Sequence, residues 1–160
     1  MTTQQAQTTG DKTSIPVIHG TLLMAKILPG KMDATRAALA GAAEQMFSPK
    51  GGLQNLAKVH FARMAIVGDS FLFASYYDGD LEDYLDDFFS FKQGETFDEG
   101  GFRFLEGWPG PHDREGFKTW WKSHQIDEVL YSYYPGATCK EIEKALRIRN
   151  NLEAVLEDFE

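Results

Sequence analysis

Two kinds of hydrophobic pattern alternate along the chain. "VIHGTLLMAKIL" (17–28) is a strand-length apolar run closed by Pro29-Gly30. "KMDATRAALAGAAEQMF" is alanine-rich, with Asp33 placed to cap a helix whose small side chains let it lie close to a sheet. "SPKGG" breaks that helix, and "LQNLAKV" reads as a short helical turn or loop. "HFARMAIV" and "FLFASYYD" then flank "GDS", two strands of a hairpin. Directly afterwards Leu81, Tyr84, Leu85, Phe88 and Phe89 recur at helical spacing behind Asp80, which predicts an amphipathic helix with an aspartate cap.

From Lys92 to Pro111 the pattern lapses. "QGETFDEGGFRFLEGWPGP" has no sustained period and predicts a long ordered loop, of a kind often used for function. A helix follows over about 113–124, where Phe117, Trp120, Trp121 and His124 share a face. "DEVLYSYYPG" reads as the last strand, and Thr138 with Glu141 forms a capping box for a final helix with the stripe Ile142, Ala145, Leu146, Arg149, Leu152, Leu156 and Phe159. The order predicts an α+β fold: a ferredoxin-like βαββαβ antiparallel sheet with helices on one face, an insertion at about 92–125 and an extra C-terminal helix. "TLLMAKIL", "FLFASYY" and "VLYSYY" are apolar at both parities, so both faces of the sheet are expected to be covered. Helices cover one; a second sheet from an identical subunit would cover the other, making a homodimer.

At 160 residues and 42% hydrophobic content the chain supports one domain, taken as 15–160. Residues 1–14 are polar apart from Met1 and a lone alanine, and are expected to stay disordered. Sixteen Lys and Arg against 24 Asp and Glu leave a net charge of −8 with no basic block, which argues against nucleic acid and against an anionic membrane surface. No apolar run approaches a membrane span, and no secretory leader pattern opens the chain. Cys139 is the single cysteine, so no intrachain disulfide forms, and a reducing cytoplasmic setting is the simplest expectation.

"HGTLLMAKILPGKMDATRAALA", followed by a hairpin and "DGDLEDYLDDFF", resembles the dimeric α+β barrel superfamily. That superfamily includes antibiotic-biosynthesis monooxygenases, EthD-like proteins, chlorite dismutases and dye-decolorizing peroxidases. The resemblance spans about 17–91 and 127–136 and leaves the insertion unexplained. It implies a hydrophobic or aromatic small molecule, sometimes heme, bound in a cleft between sheet and helices.

The polar residues set among the aromatics are the candidate chemistry. If "GDS" is a three-residue loop, His60 stands opposite Asp78, close enough for the carboxylate to orient the imidazole as general acid or base. A two-residue loop pairs His60 with Tyr77 instead and dissolves the dyad. Arg63 has the opposite parity to His60 on a regular strand; it is expected to be buried against a carboxylate of the acidic run, with substrate binding as the alternative. Tyr76, Tyr77, Trp120, Trp121 and His124 are candidates for lining a pocket for a flat apolar ligand, and His124 is the candidate axial ligand if heme is bound. Asp78, Asp80, Glu82 and Asp83 lack the spacing of a calcium loop, so no metal is expected there. The preferred reading is a cofactor-independent oxidoreductase, monooxygenase-like, acting on an aromatic or polyketide-like substrate. A heme-binding peroxidase-like protein and a non-catalytic dimeric ligand-binding protein are the alternatives.

Overall fold

The structure is a computed structural model that describes residues 17–46, 58–90 and 93–157; the expected tail at 1–14 and all but the last two residues of the expected helical turn or loop over 53–59 lie outside them. Its elements are β1 (Ile18–Lys26), α1 (Met32–Met46), β2 (Val59–Val67), β3 (Ser70–Asp78), α2 (Leu81–Ser90), α3 (Gln93–Glu99), a 3-10 turn at Phe102–Phe104, α4 (Arg114–Ser123) and α5 (Cys139–Glu157). The three strands form one antiparallel sheet in the order β1-β3-β2.

One face of the sheet is the core. Thr21, Leu23 and Ala25 of β1 lie opposite Ser75, Phe73 and Phe71 of β3, and all are buried under the helices. Phe73 meets Phe97, Phe102 and Trp121 edge-on, with ring centroids 5.2–6.0 Å apart. Such pairs add about 0.5–1.5 kcal/mol each beyond area burial. Tyr77 stacks flat on Tyr84 at 3.9 Å, and the Tyr84 hydroxyl donates to Ser75 Oγ at 2.8 Å. Trp121 Nε1 donates to Thr21 Oγ1 at 2.9 Å, and Trp120 Nε1 to the Glu106 carbonyl at 2.9 Å, so each buried indole keeps a partner.

The segment expected to be a long ordered loop is therefore core material, part of it helical. Phe97, Phe102 and Leu105 are buried, and Gln93–Glu99 is a helix that its short length, the glycine within it and the Gly100-Gly101 pair after it conceal from periodicity. Helix α2 begins as expected, Asp83 N–H donating to Asp80 Oδ1 at 2.9 Å. Asp33, by contrast, lies inside the first turn of α1 rather than at its cap. The acidic side of α2 is not simply solvated: Glu82 and Asp86 face Lys118, Lys122 and Arg114 of α4, with Lys118 bonded to both carboxylates. Those lysines and the arginine hold both carboxyls below the usual carboxylate range.

The expected fourth strand is not formed. Residues 127–134 run along the free edge of β1, tied at one end by Ile126 N–H to Leu22 O (2.8 Å) and at the other by Val17 N–H to Pro135 O (2.9 Å). The chain takes nine steps from Ile126 to Pro135 while β1 takes five from Leu22 to Val17, and the slack makes no ladder and bows over the edge of the open face. The sheet face away from the core is consequently open. It carries Leu22, Met24, Ala65 and Leu72, with Arg63 among them, and Phe61 there is 73% exposed.

Candidate functional site

Hairpin register decides the site. Val67 pairs with Ser70 across the two-residue loop Gly68-Asp69, with Gly68 in the left-handed conformation (φ 61°). The expected three-residue loop is thus wrong, and a regular ladder would set His60 opposite Tyr77. Between Val59 and Phe61, however, the register shifts: Phe61 pairs with Tyr76, Val59 with Tyr77, and His60 is the extra residue of a β-bulge. A bulge re-aims the side chain it inserts. Here it swings the His60 ring to Asp78, with Nε2 and Oδ1 2.7 Å apart and both side chains about nine-tenths buried (7% and 10% exposed).

Asp78 is the last residue of β3, and its second oxygen accepts the backbone N–H of Cys139 at 2.8 Å, the first residue of α5. One carboxylate thus ties together the bulge of β2, the end of β3 and the start of the C-terminal helix. A carboxylate can only accept, so Nε2 carries the proton and Nδ1 is left as the basic nitrogen. Helix α5 is capped as its spacing predicts, Thr138 N–H donating to Glu141 Oε2 at 2.9 Å and Glu141 N–H to Thr138 Oγ1 at 3.2 Å. Cys139 lies beside Asp78; burial and the neighbouring negative charge push its thiol up to about 12, so it is a thiol and not an activated nucleophile.

His60 stands in the wall of a cleft of about 440 Å³. Its floor is the open sheet face (Ile18, Phe61, Tyr76), its rim the bowed segment with Tyr131 and Tyr134, and its far side Ile142 of α5. Apolar aromatic walls with one polar pair are the composition of a site for a flat hydrophobic molecule.

The other candidates divide between the two faces. Arg63 pairs across from Ala74 and so shares the open face with Tyr76 and Asp78; the bulge cancels the parity difference from His60. It is exposed and makes no ion pair among the described residues, so the expected burial against the acidic run is corrected: the helical carboxylates of that run, Glu82 and Asp86, are engaged by Arg114 and Lys118 on the helix side of the sheet. Tyr77, Trp120 and Trp121 point into the helical core, away from the cleft, and burial raises the Tyr77 hydroxyl to about 12. His124 also lies on the helix side, its ring 4.5 Å from that of Trp120 and its Nδ1 2.8 Å from the Trp120 carbonyl.

Sequence reasoning missed Glu128. Its carboxylate lies over Gly20 of β1: a Cβ added at Gly20 would stand 2.5 Å from Glu128 Oε1 and 3.3 Å from the Tyr76 ring. That oxygen is buried without a hydrogen-bond partner, and burial raises the Glu128 carboxyl above its ordinary value. The signal lay in Gly20, the single glycine inside β1, which marks a close approach by another group.

Fold and site together define an α+β protein with an aromatic-lined cleft on the open face of a three-stranded sheet and a histidine–carboxylate pair in its wall. No protein-family model and no curated protein matches the chain. Among solved structures it is similar to tetracenomycin F2 cyclase from Streptomyces glaucescens, a type-II polyketide cyclase, at 19% identity and a TM-score of 0.42, over 72% of this chain and 96% of that one. A likeness this loose carries neither fold family nor activity from one protein to the other. No described helix is long and apolar enough to cross a membrane.

Proposed function

We propose that the chain is a small-molecule enzyme that moves a proton on an aromatic, polyketide-like substrate held in the open-face cleft, with His60 as general acid–base and Asp78 as the carboxylate that orients it. One observation carries this reading: a 2.7 Å His60–Asp78 contact, nine-tenths buried, in the wall of an apolar cleft. A positioned imidazole contributes about 10²- to 10⁴-fold to such a step. Tyr76 and Phe61 would stack against the substrate, Arg63 would face an enolate or phenolate oxygen, and Glu128 beside Tyr76 would add a second carboxyl group to the site. The finer reading is cofactor-independent oxidation: removal of a phenolic or enolic proton leaves an electron-rich anion that reacts with dioxygen directly.

Access to the cleft suggests the assembly. Phe61, Met24 and Val67 leave an apolar open face that a second copy of the chain would cover, closing the cleft from above in a homodimer. The decisive assay is turnover of polycyclic phenols, followed by oxygen uptake and mass spectrometry, in the wild type, His60→Ala and Asp78→Asn. The proposal requires at least a hundredfold loss in His60→Ala with the circular dichroism spectrum unchanged; a variant that keeps its turnover removes His60 from the mechanism.

A further inference from the structure

His60, Asp78 and Cys139 place one imidazole nitrogen, one carboxylate oxygen and one sulfur within 4.8 Å of one another. The three come from a strand bulge, a strand end and a helix start, separated by 18 and 61 residues. We propose that this cluster is a binding site for a thiophilic divalent cation such as zinc, with its fourth position opening on the cleft. The inference goes beyond the acid–base reading and does not rest on it: a proton and a cation would be alternative occupants of one cluster.

The donor set suits the ion. Sulfur, imidazole and carboxylate together exclude calcium and magnesium, which take oxygen shells, and fit zinc, for which three protein ligands and one open position are the pattern of reactive sites. Charge also balances: Asp78 and a Cys139 thiolate contribute two negative charges, a neutral His60 none, so a dication leaves the half-buried cluster neutral. A tetrahedral zinc with bonds of about 2.0 Å to nitrogen and oxygen and about 2.3 Å to sulfur sets its ligand atoms roughly 3.3–3.5 Å apart. His60 and Asp78, now at 2.7 Å, would part by a little over half an ångström, and the thiol would close in from within 4.8 Å. Only the Cys139 side chain and the His60 ring need to turn, because Asp78 is already held by the Cys139 N–H on its other oxygen. That bond is the outer contact that fixes a metal-binding carboxylate. The cleft lined by His60 gives the ion a way in and leaves room for water or a ligand oxygen as the fourth donor.

Cobalt(II) titrated into the full-length, metal-stripped protein tests this without any activity assay. Expected are one cobalt per chain, the intense visible bands of a tetrahedral site and a thiolate-to-cobalt charge-transfer band, all displaced by zinc. Cys139→Ser keeps the backbone N–H that Asp78 accepts; it should abolish the charge-transfer band and weaken binding at least tenfold. No stoichiometric binding at micromolar cobalt, or a bound spectrum without the thiolate band, overturns the site, and the wild-type titration alone decides this if a variant fails to fold. Loss of turnover in His60→Ala with no cobalt bound to the wild type would refute the metal and leave the acid–base reading standing.

Discussion

Asp78 is the residue whose replacement separates architecture from chemistry. Asp78→Ala removes the acceptor for His60 Nε2–H and for Cys139 N–H at once. The first donor sits on a ring 7% exposed and is stranded without water; the second lies at a helix start and can be rehydrated. A hydrogen bond to a charged group contributes about 1.5–3 kcal/mol, and loss of a helix-terminal acceptor about 1 kcal/mol, so together about 2.5–4 kcal/mol should be lost. For a chain of this length about 2–4 °C of melting temperature corresponds to each kcal/mol, which gives a drop of roughly 5–15 °C. Asp78→Asn has the same shape and a different donor pattern. Its carbonyl can still accept from Cys139 N–H, but its NH2 then meets Nε2–H, a clash relieved only if His60 moves its proton to Nδ1. The Asn variant should therefore lose no more than about 1–1.5 kcal/mol while inverting the tautomer and blocking the basic nitrogen. Thermal melts and nitrogen-15 imidazole shifts read the two effects separately. An Ala variant that melts with the wild type, or an Asn variant that retains Nε2–H, refutes the reasoning.

Other outcomes follow from the same geometry. The Glu128 carboxyl, raised by burial from an ordinary value of 4.5, favours folding while it is protonated in both states. That contribution is lost as pH rises from the unfolded value through the folded one, so Glu128→Gln should gain stability relative to wild type between those limits, measured as the difference between the two melting curves against pH. Trp121→Phe removes the indole N–H from Thr21 Oγ1 and opens a void among Phe73, Phe97 and Phe117; urea unfolding should show a loss of about 2–4 kcal/mol. Phe61→Asp puts a charge on the open face where a second copy would sit, and if burial of that ring contributes roughly 1.5–3 kcal/mol per copy, light scattering should move from about twice 18.0 kDa towards one chain. A wild type that is monomeric at micromolar concentration would remove the dimer altogether.

What the sequence by itself determined is the part governed by local period and capping. The apolar stripe behind Asp80, the Thr138–Glu141 box and the paired strands around Gly68 all depend on neighbours within a few residues, and each stands in the structure where its pattern places it. The His60–Asp78 contact was legible for the wrong reason: the expected loop had one residue too many, and the two groups meet not as ladder partners but because the bulge turns the His60 side chain towards Asp78. A bulge leaves no mark in a strand's composition, because the residue it inserts is chosen by packing across the sheet. Tertiary structure alone decided the rest. Tyr77, Trp120 and Trp121 read as pocket aromatics, yet they fill the core: Tyr77 stacks on Tyr84, and Phe97 and Phe102 of the 92–125 segment pack against the two tryptophans. "DEVLYSYY" has strand composition, yet in this chain its length between two anchors on β1 exceeds the edge it would have to match. Glu128 lies over Gly20, and Cys139 beside Asp78, only because that slack segment turns back across the open face, a closure of more than a hundred residues for Glu128 that no local pattern encodes.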